Sequence, residues 1–301
     1  MNLRWLELFC LIVEEGSISA AGRSAYISQP SVTKYMHYLE EHYGTMLLHR
    51  GSGKVTPTEA GRVLYPHAKA IIQDYQNSLE SVAFTDHKTK RDLKVGASFT
   101  LGEYMMPTVV AAFNQIHDDS DVQVTIQNTR TILKMLEDQQ IDLAFVEGEI
   151  HTDSLRKQAM IEDKVILVVN PTHPWSKRTH ILPQELREER YIAREPKSST
   201  RIIVEKHLMV KQAGLKLEPH LQLNTTQAVK SAVQSGLGYG FLSHYAVQQE
   251  IQNGLLVHVP FANLSITRPF WSVVKPLRFE KPIVETFQQL TQQLLKELEP
   301  T

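Results

Sequence analysis

Leu3, Leu6, Phe9, Cys10 and Val13 recur at spacings of three and four, which makes one apolar stripe of a helix, and Gly16 supplies its stop. Ser17 or Ser19 then caps a short second helix whose Ala20, Ala21 and Ala25 are small enough to let another helix cross closely. Ser28 caps a third, with Pro30 in the first turn, where its missing N–H has no intrahelical partner to lose. In that third helix Val32, Tyr35, Met36, Leu39 and Tyr43 form the buried face, Ser31, Thr33, Lys34 and His37 turn outward, and Gly44 ends the run. Residues 46–61, "MLLHRGSGKVTPTEAG", hold two glycines between a basic residue and a short β-prone stretch, which predicts a two-stranded wing with Arg50 and Lys54 at its base and tip.

From Thr58 to about His87 a second kind of stripe appears. Leu64, Ala68, Ile71, Tyr75, Leu79 and Val82 step by four, three, four, four and three, close to a heptad seam. With no other core nearby in sequence, such a stripe pairs most simply with a second copy of itself; packing on the chain's own second domain is the competing reading. Pro66 predicts a kink, or the point where the long run begins. "TDHKTKRD", residues 85–92, reads as a hinge. Beyond it strands and helices alternate: "LKVGAS", "VQVTIQ", "IDLAFVEG", "VILVVN", "YIAR", "LQL" and "GYGFLS" are short apolar runs, several closed by Gly, Ser, Thr or Asn before a helical stretch. They predict an α/β domain with a largely parallel sheet, in which ligands bind beyond the carboxyl ends of the strands.

Composition changes this picture little. The chain has 301 residues, 42% hydrophobic and 22% charged, enough for two domains or more. The apolar run Leu8 to Val13 is too short for a membrane span and carries no signal-peptide cleavage site, so a cytoplasmic protein is expected. Cys10 has no partner for a disulfide or a zinc site and reads as buried filler. Net charge is -1, but Arg23, Lys34, Arg50, Lys54 and Arg62 stand against Glu40, Glu41 and Glu59, a small local positive excess.

A small-residue helix, a brief turn and a helix with a polar start make a helix-turn-helix, whose second helix enters the major groove N-terminus first. Gln29 and Lys34 then reach base edges, while Ser28, Ser31, Thr33 and the first-turn N–H groups hold phosphates; Pro30, His37 and Thr56 lie on the same surface. A capped surface helix that touches nothing is the plain alternative. Enzyme readings find little support, since there is no G-x-S-x-G elbow, Walker A loop or H-E-x-x-H. "GLGYG", residues 236–240, precedes a strand, whereas a dinucleotide fingerprint follows one, and Glu147 with Glu149 reads more simply as loop carboxylates than as an acid/base pair. No metal or other cofactor is expected.

"GSISAAGRSAYISQPSVTKYMHYLEEHYG", followed by "LLHRGSGKVTPTEAG", resembles the LysR-type bacterial transcriptional regulators. Thr33 stands where that family more often has serine, and Leu48-His49 replaces a more usual aromatic-acidic pair. The resemblance implies an α+β multidomain chain: a winged helix-turn-helix at 1–60, a linker helix at 58–88 that joins dimers, and a two-lobed, periplasmic-binding-protein-like effector domain at 93–301. Lobe I is drawn at 93–165 and 267–301, lobe II at 166–266. It also implies promoter DNA as partner, homodimers or tetramers, and a small-molecule effector, with RNA polymerase as a further candidate partner. A small-molecule binding protein whose N-terminal helices mediate protein contacts is the alternative. The effector site is drawn from the hydroxyls at strand-to-helix turns: Ser98 and Thr100 after the first strand, Thr129 after the second, and Ser198, Ser199 and Thr200 in "KSSTR" before a helix over 202–212. Phe99, Glu147, Arg201 and Thr225 complete the set. Hydroxyls gathered at helix starts favour an anion; each merely capping its own helix is the plain reading.

Overall fold

A computed structural model describes residues 2–49, 54–83, 91–150, 152–211, 214–277 and 280–297. The chain divides into two compact units, residues 1–88 and 89–301.

In the first unit α1 (Leu3–Glu15), α2 (Ile18–Ser24) and α3 (Gln29–Tyr43) follow the sequence pattern closely. Gly16 closes α1 at φ 66°, donating its N–H to Ile12, a left-handed position that glycine takes without a Cβ penalty. Of the two candidate caps for α2 it is Ser17 that accepts from the Ala20 N–H, while the Ser19 hydroxyl donates to Gln29 Oε1 at 2.8 Å. Leu6, Phe9, Ile12, Val32, Met36 and Leu39 meet in one buried core. The wing is two short strands, β1 (Leu48–His49) and β2 (Thr56–Pro57), paired antiparallel. The buried carboxylate of Glu40 holds it to α3 by accepting the Leu47 and Leu48 N–H groups at 2.9 and 3.2 Å.

The long helix α4 spans Glu59–Ala83 and passes through Pro66 without a break, so the proline neither starts nor ends it. Its stripe serves two purposes. Leu64 and Ala68 are buried in the unit's own core, where α4 packs on α1, and are not part of an open seam; Ile71, Tyr75, Leu79 and Val82 are exposed. The reason is that a helix following a small helical domain buries its first turns against that domain before it can meet anything else. Cys10 lies in the same core, with burial pushing its thiol up to about 12. Among the described residues no helix is long and apolar enough to cross a membrane.

The second unit is built on β3 (Arg91–Ala97), α5 (Phe99–Tyr104), α6 (Met106–Ile116), β4 (Ser120–Ile126), α7 (Thr129–Glu137) and β5 (Leu143–Glu147). It continues with β6 (Arg156–Val169), β7 (Tyr191–Arg194), α8 (Ser199–Lys211), β8 (Leu221–Leu223), α9 (Thr226–Gln234) and β9 (Tyr239–Ser243). Last come α10 (His244–Gln252), β10 (Val257–His258), β11 (Ile266–Val274) and α11 (Pro282–Glu297). The strands order as β4-β3-β5-β11-β6-β9-β7-β8, with β10 on β6. β3 runs parallel to β4 and β5, and β7 parallel to β8 and β9. β6 and β11 are antiparallel to each other and to β9 and β5, so the sheet is parallel only on its two flanks.

β11 is the strand that apolar runs alone do not reveal. Arg268 and Pro269 interrupt it, and the register slips between Pro269 and Trp271, as a proline without a ladder donor requires. β6 and β11 tie together two separate cores, one around Val95, Phe113, Phe145 and Phe287, the other around Leu167, Val204, Tyr239 and Phe241. The lobe boundaries drawn at 165/166 and 266/267 fall on the register pair Val165 and Ile266.

Candidate nucleic-acid interface and effector site

Helix α3 is anchored by one face and open on the other. Val32, Met36 and Leu39 are buried, whereas Ser28, Gln29, Pro30, Lys34 and His37 are exposed and Ser31 and Thr33 half-buried. Ser28 caps the helix, and its Oγ lies 2.8 Å from that of Ser31. Lys34 Nζ sits 5.7 Å from the centre of the Tyr38 ring, an exposed cation–π pair that orients without immobilising it. In the wing Thr56 is exposed, and the stem of Lys54 lies across Gly16, so close that a Cβ there would stand 2.1 Å from its Cε. Arg50, assigned to the base of the wing, lies outside the described residues.

In the second unit the expected hydroxyls do converge, and most are not caps. Ser98 makes no side-chain bond to its own helix; its hydroxyl donates to Glu147 Oε2 at 2.7 Å. Thr129 leaves the capping of α7 to Asn128 and donates to the Glu147 carbonyl, itself accepting from Ser199 Oγ at 2.9 Å. Thr100 and Thr200 accept from the two ends of one guanidinium, that of Arg268, at 3.1 and 2.8 Å. Thr225 follows the plain reading, accepting from the Ala228 N–H as N-cap of α9. Ser198 is buried at the start of α8, and Arg201 turns away to Glu205, Gln222 and the Arg194 carbonyl.

Arg268 is the residue that sequence reasoning missed. It is fully buried, and in the β6–β11 ladder it stands directly opposite Asp163. Its Nε donates to Asp163 Oδ2 at 2.8 Å, and Nη1 lies 3.1 Å from Glu147 Oε1. Ser243, at the end of β9, donates to Asp163 Oδ1 at 2.7 Å. Glu147, read as a loop carboxylate, is thus 4% exposed at the end of β5. One guanidinium therefore joins both halves of the unit and both crossing strands, facing two carboxylates. Burial pushes Asp163 up to about 6 although Arg268 and Ser243 pull it down, and Glu147 adds to the rise. Burial alone depresses Arg268; Glu147 and Asp163 together more than reverse this, so it stays charged.

Around this centre lies a second ring. Arg194 stacks 4.6 Å over Phe99, bonds Thr226 and is gripped at two points by Glu195. Lys230 stands 4.6 Å over Tyr104 and pairs with Glu250 at 2.6 Å. Glu103 accepts the backbone N–H of Gln227 in the first turn of α9, and burial pushes its carboxyl above the ordinary range against the pull of Arg194. Its Oε2 has no hydrogen-bond partner among the described residues. These residues form no contiguous motif, because they come from α5, α9, α10 and the end of β7, far apart in the chain.

Residues 3–62 match the family described as bacterial regulatory helix-turn-helix protein, lysR family, and residues 87–296 match the LysR substrate binding domain. A probable RuBisCO transcriptional regulator of Porphyra purpurea is 32% identical over 294 residues, covering 96% of this chain and 92% of its own. Full-length CbnR complexed with its target DNA aligns with TM-score 0.67 at 17% identity, covering 97% of this chain and 99% of that one. The Synechocystis PCC6803 CcmR regulatory domain, solved in complex with 2-PG, aligns with TM-score 0.62 at 21% identity, covering 69% of this chain and all but 2% of that one, at 98%. Two family matches in the right order, a relative of the same span and a helix-turn-helix followed by an α/β unit agree: the chain belongs to the LysR family of transcriptional regulators, DNA-binding proteins with an effector-binding domain, and is not an enzyme.

Proposed function

We propose that this chain binds a dyad in promoter DNA as a homodimer or larger homo-oligomer in the cytoplasm, and that a small anionic effector bound at Arg268 alters its grip on that DNA. The observation that carries the DNA half is the open face of α3, where Gln29 and Lys34 are exposed above a buried stripe. Gln29 and Lys34 read base edges; Ser28, Ser31, Thr33, His37 and the wing residues Lys54 and Thr56 set the helix against the backbone. The exposed part of the α4 stripe, Ile71, Tyr75 and Leu79, supports self-association through that helix. The hydroxyls of Ser98 and Thr100 around the start of α5 and of Thr129, Ser199 and Thr200 at the starts of α7 and α8, gathered about the guanidinium of Arg268 on β11, support an anionic ligand. Effector binding then shifts the balance between two arrangements of one assembly. RNA polymerase is a further partner of the DNA-bound form.

Gel shifts with the DNA upstream of the chain's own gene and its neighbours test the DNA reading. Lys34→Ala is expected to cost about 1–3 kcal/mol, concentrated at one position of the half-site. Undiminished specific affinity in Lys34→Ala and in Gln29→Ala would leave the alternative, a small-molecule binding protein with a protein-contacting N-terminus. Ile71→Glu with Leu79→Glu is expected to give monomers by light scattering with the second unit's circular dichroism intact; an unchanged assembly would refute the seam.

A further inference from the structure

We propose that the effector anion and one proton enter the inter-lobe site together, the proton going to Asp163 while the anion becomes a counter-ion of Arg268. This rests on the anionic reading above and adds the charge balance that reading needs. At the centre, Arg268 faces Glu147 from β5 and Asp163 from β6, one cation against two carboxylates, all buried. These are the charged groups that surround Asp163; the neighbours from β9 and α8 are the hydroxyls of Ser243 and Thr200. Asp163 and Arg268 are register partners on adjacent strands, so their backbones stand directly opposite each other.

The surrounding ring offers no surplus cation. Arg194 is committed to Glu195 and Lys230 to Glu250, while Glu103 adds a further carboxyl at the edge. An anion brought beside Arg268 therefore meets an existing excess of negative charge in a medium that screens it poorly, and like charges at such range cannot all remain ionised. A proton is the compensating charge that no rearrangement of the fold is needed to supply.

Asp163 is the group placed to take it. Glu147 is held by three donors, Ser98, Thr100 and Arg268, whereas Asp163 is held by two, Arg268 and Ser243. Asp163 is already pushed up to about 6 by burial. Protonated, it keeps its place, donating to Ser243 Oγ, which exchanges the role of donor for that of acceptor. The guanidinium is then left with Glu147 and the incoming anion, one cation shared between two anions as before.

The sign of the linkage follows. The bound anion raises the affinity of Asp163 for its proton above that of the free site, so the proton favours the anion to the same degree. Anion affinity is level below about pH 6 and falls by up to about tenfold per pH unit above it.

The test uses the full chain and sulfate, an anion that does not itself titrate over the range examined. Calorimetric titrations at pH 5.5, 6.5, 7.5 and 8.5, each in two buffers of different ionisation enthalpy, read affinity and proton uptake at once. The expected result is uptake approaching one proton per sulfate near about pH 7.5, with affinity dropping by about tenfold or more between the extremes. Weakened binding in Thr200→Val places the sulfate at this site, and Asp163→Asn is expected to bind it with neither uptake nor pH dependence. Saturable binding with no proton uptake in the native chain would overturn the proposal and leave the anionic site standing. Uptake that survives in Asp163→Asn and disappears in Glu147→Gln would overturn the assignment to Asp163. If sulfate and other small oxyanions give no saturable binding sensitive to Thr200→Val, the anionic reading itself fails and this inference with it.

Discussion

Replacing Asp163 by asparagine removes a buried charge while keeping the shape and the hydrogen bonds around it. Asparagine Oδ1 can accept from Arg268 Nε, and its amide can donate to Ser243 Oγ, the two partners Asp163 now holds at 2.8 and 2.7 Å. The folded carboxyl is displaced from 3.8 to about 6. A carboxyl raised on folding gives stability that is fully present below its unfolded value and lost as pH rises through its folded one. Above about pH 7 the displacement corresponds to roughly 3 kcal/mol, the greatest gain the substitution can give. We expect Asp163→Asn to stabilise the effector unit by about 1–3 kcal/mol at pH 8, to give about half of that at pH 5, and to be close to neutral near pH 4. For a unit of this size the gain at pH 8 is a rise of about 3–10 °C in the second unit's unfolding temperature, read by scanning calorimetry of the full chain. A loss of stability at pH 8, or a difference that does not change with pH, would refute the claim that this carboxylate is held at a cost.

Arg268→Met at the same centre acts in the opposite sense: it leaves Glu147 and Asp163 buried without their cation and should cost about 3–5 kcal/mol at pH 8. Acidification to pH 5 should return part of that loss as Asp163 takes a proton, which urea unfolding at the two pH values measures; a cost equal at both would count against the shared-cation picture. In the first unit, Glu40→Ala removes the acceptor of two buried N–H groups, at about 1–3 kcal/mol each. It should loosen the wing and weaken DNA binding evenly across sequences, and a change of base preference in a binding-site selection would show that Glu40 does more than hold the wing.

The first unit was legible in the sequence because its signals are local. Caps, glycine stops and stripes of period three to four lie within single helices, and α1, α2 and α3 begin and end close to where those residues put them. The stripe of α4 was equally visible, yet its partners were not, since a heptad spacing reports that a face is apolar and says nothing of what covers it. Leu64 and Ala68 found α1 within the same chain, and the later positions remain exposed. Strand order in the second unit follows from the crossing of β6 and β11, and β11 was hidden by the arginine and the proline, Arg268 and Pro269, that interrupt its apolar run.

A hydroxyl at a strand-to-helix turn has two uses that the sequence does not distinguish, capping its own helix or serving a site. What decides between them is a charged group arriving from far along the chain. Thr225 accepts from the Ala228 N–H and caps α9. Ser98 meets Glu147 from 49 residues away, Thr200 meets Arg268 from 68 and Thr100 meets it from 168, and none of the three is spent on its own helix as a cap. The charges fix the hydroxyls, and the register of two antiparallel strands fixes the charges, because Arg268 can stand opposite Asp163 only if β6 and β11 pair as they do. Slipping β11 by one residue would turn Arg268 to the face of the sheet opposite Asp163. The buried polar centre of this domain is therefore set by the strands that join its halves as much as by the turns that supply its hydroxyls. Those joining strands carry Asp163 and Arg268 and contribute residues to the cores of both halves.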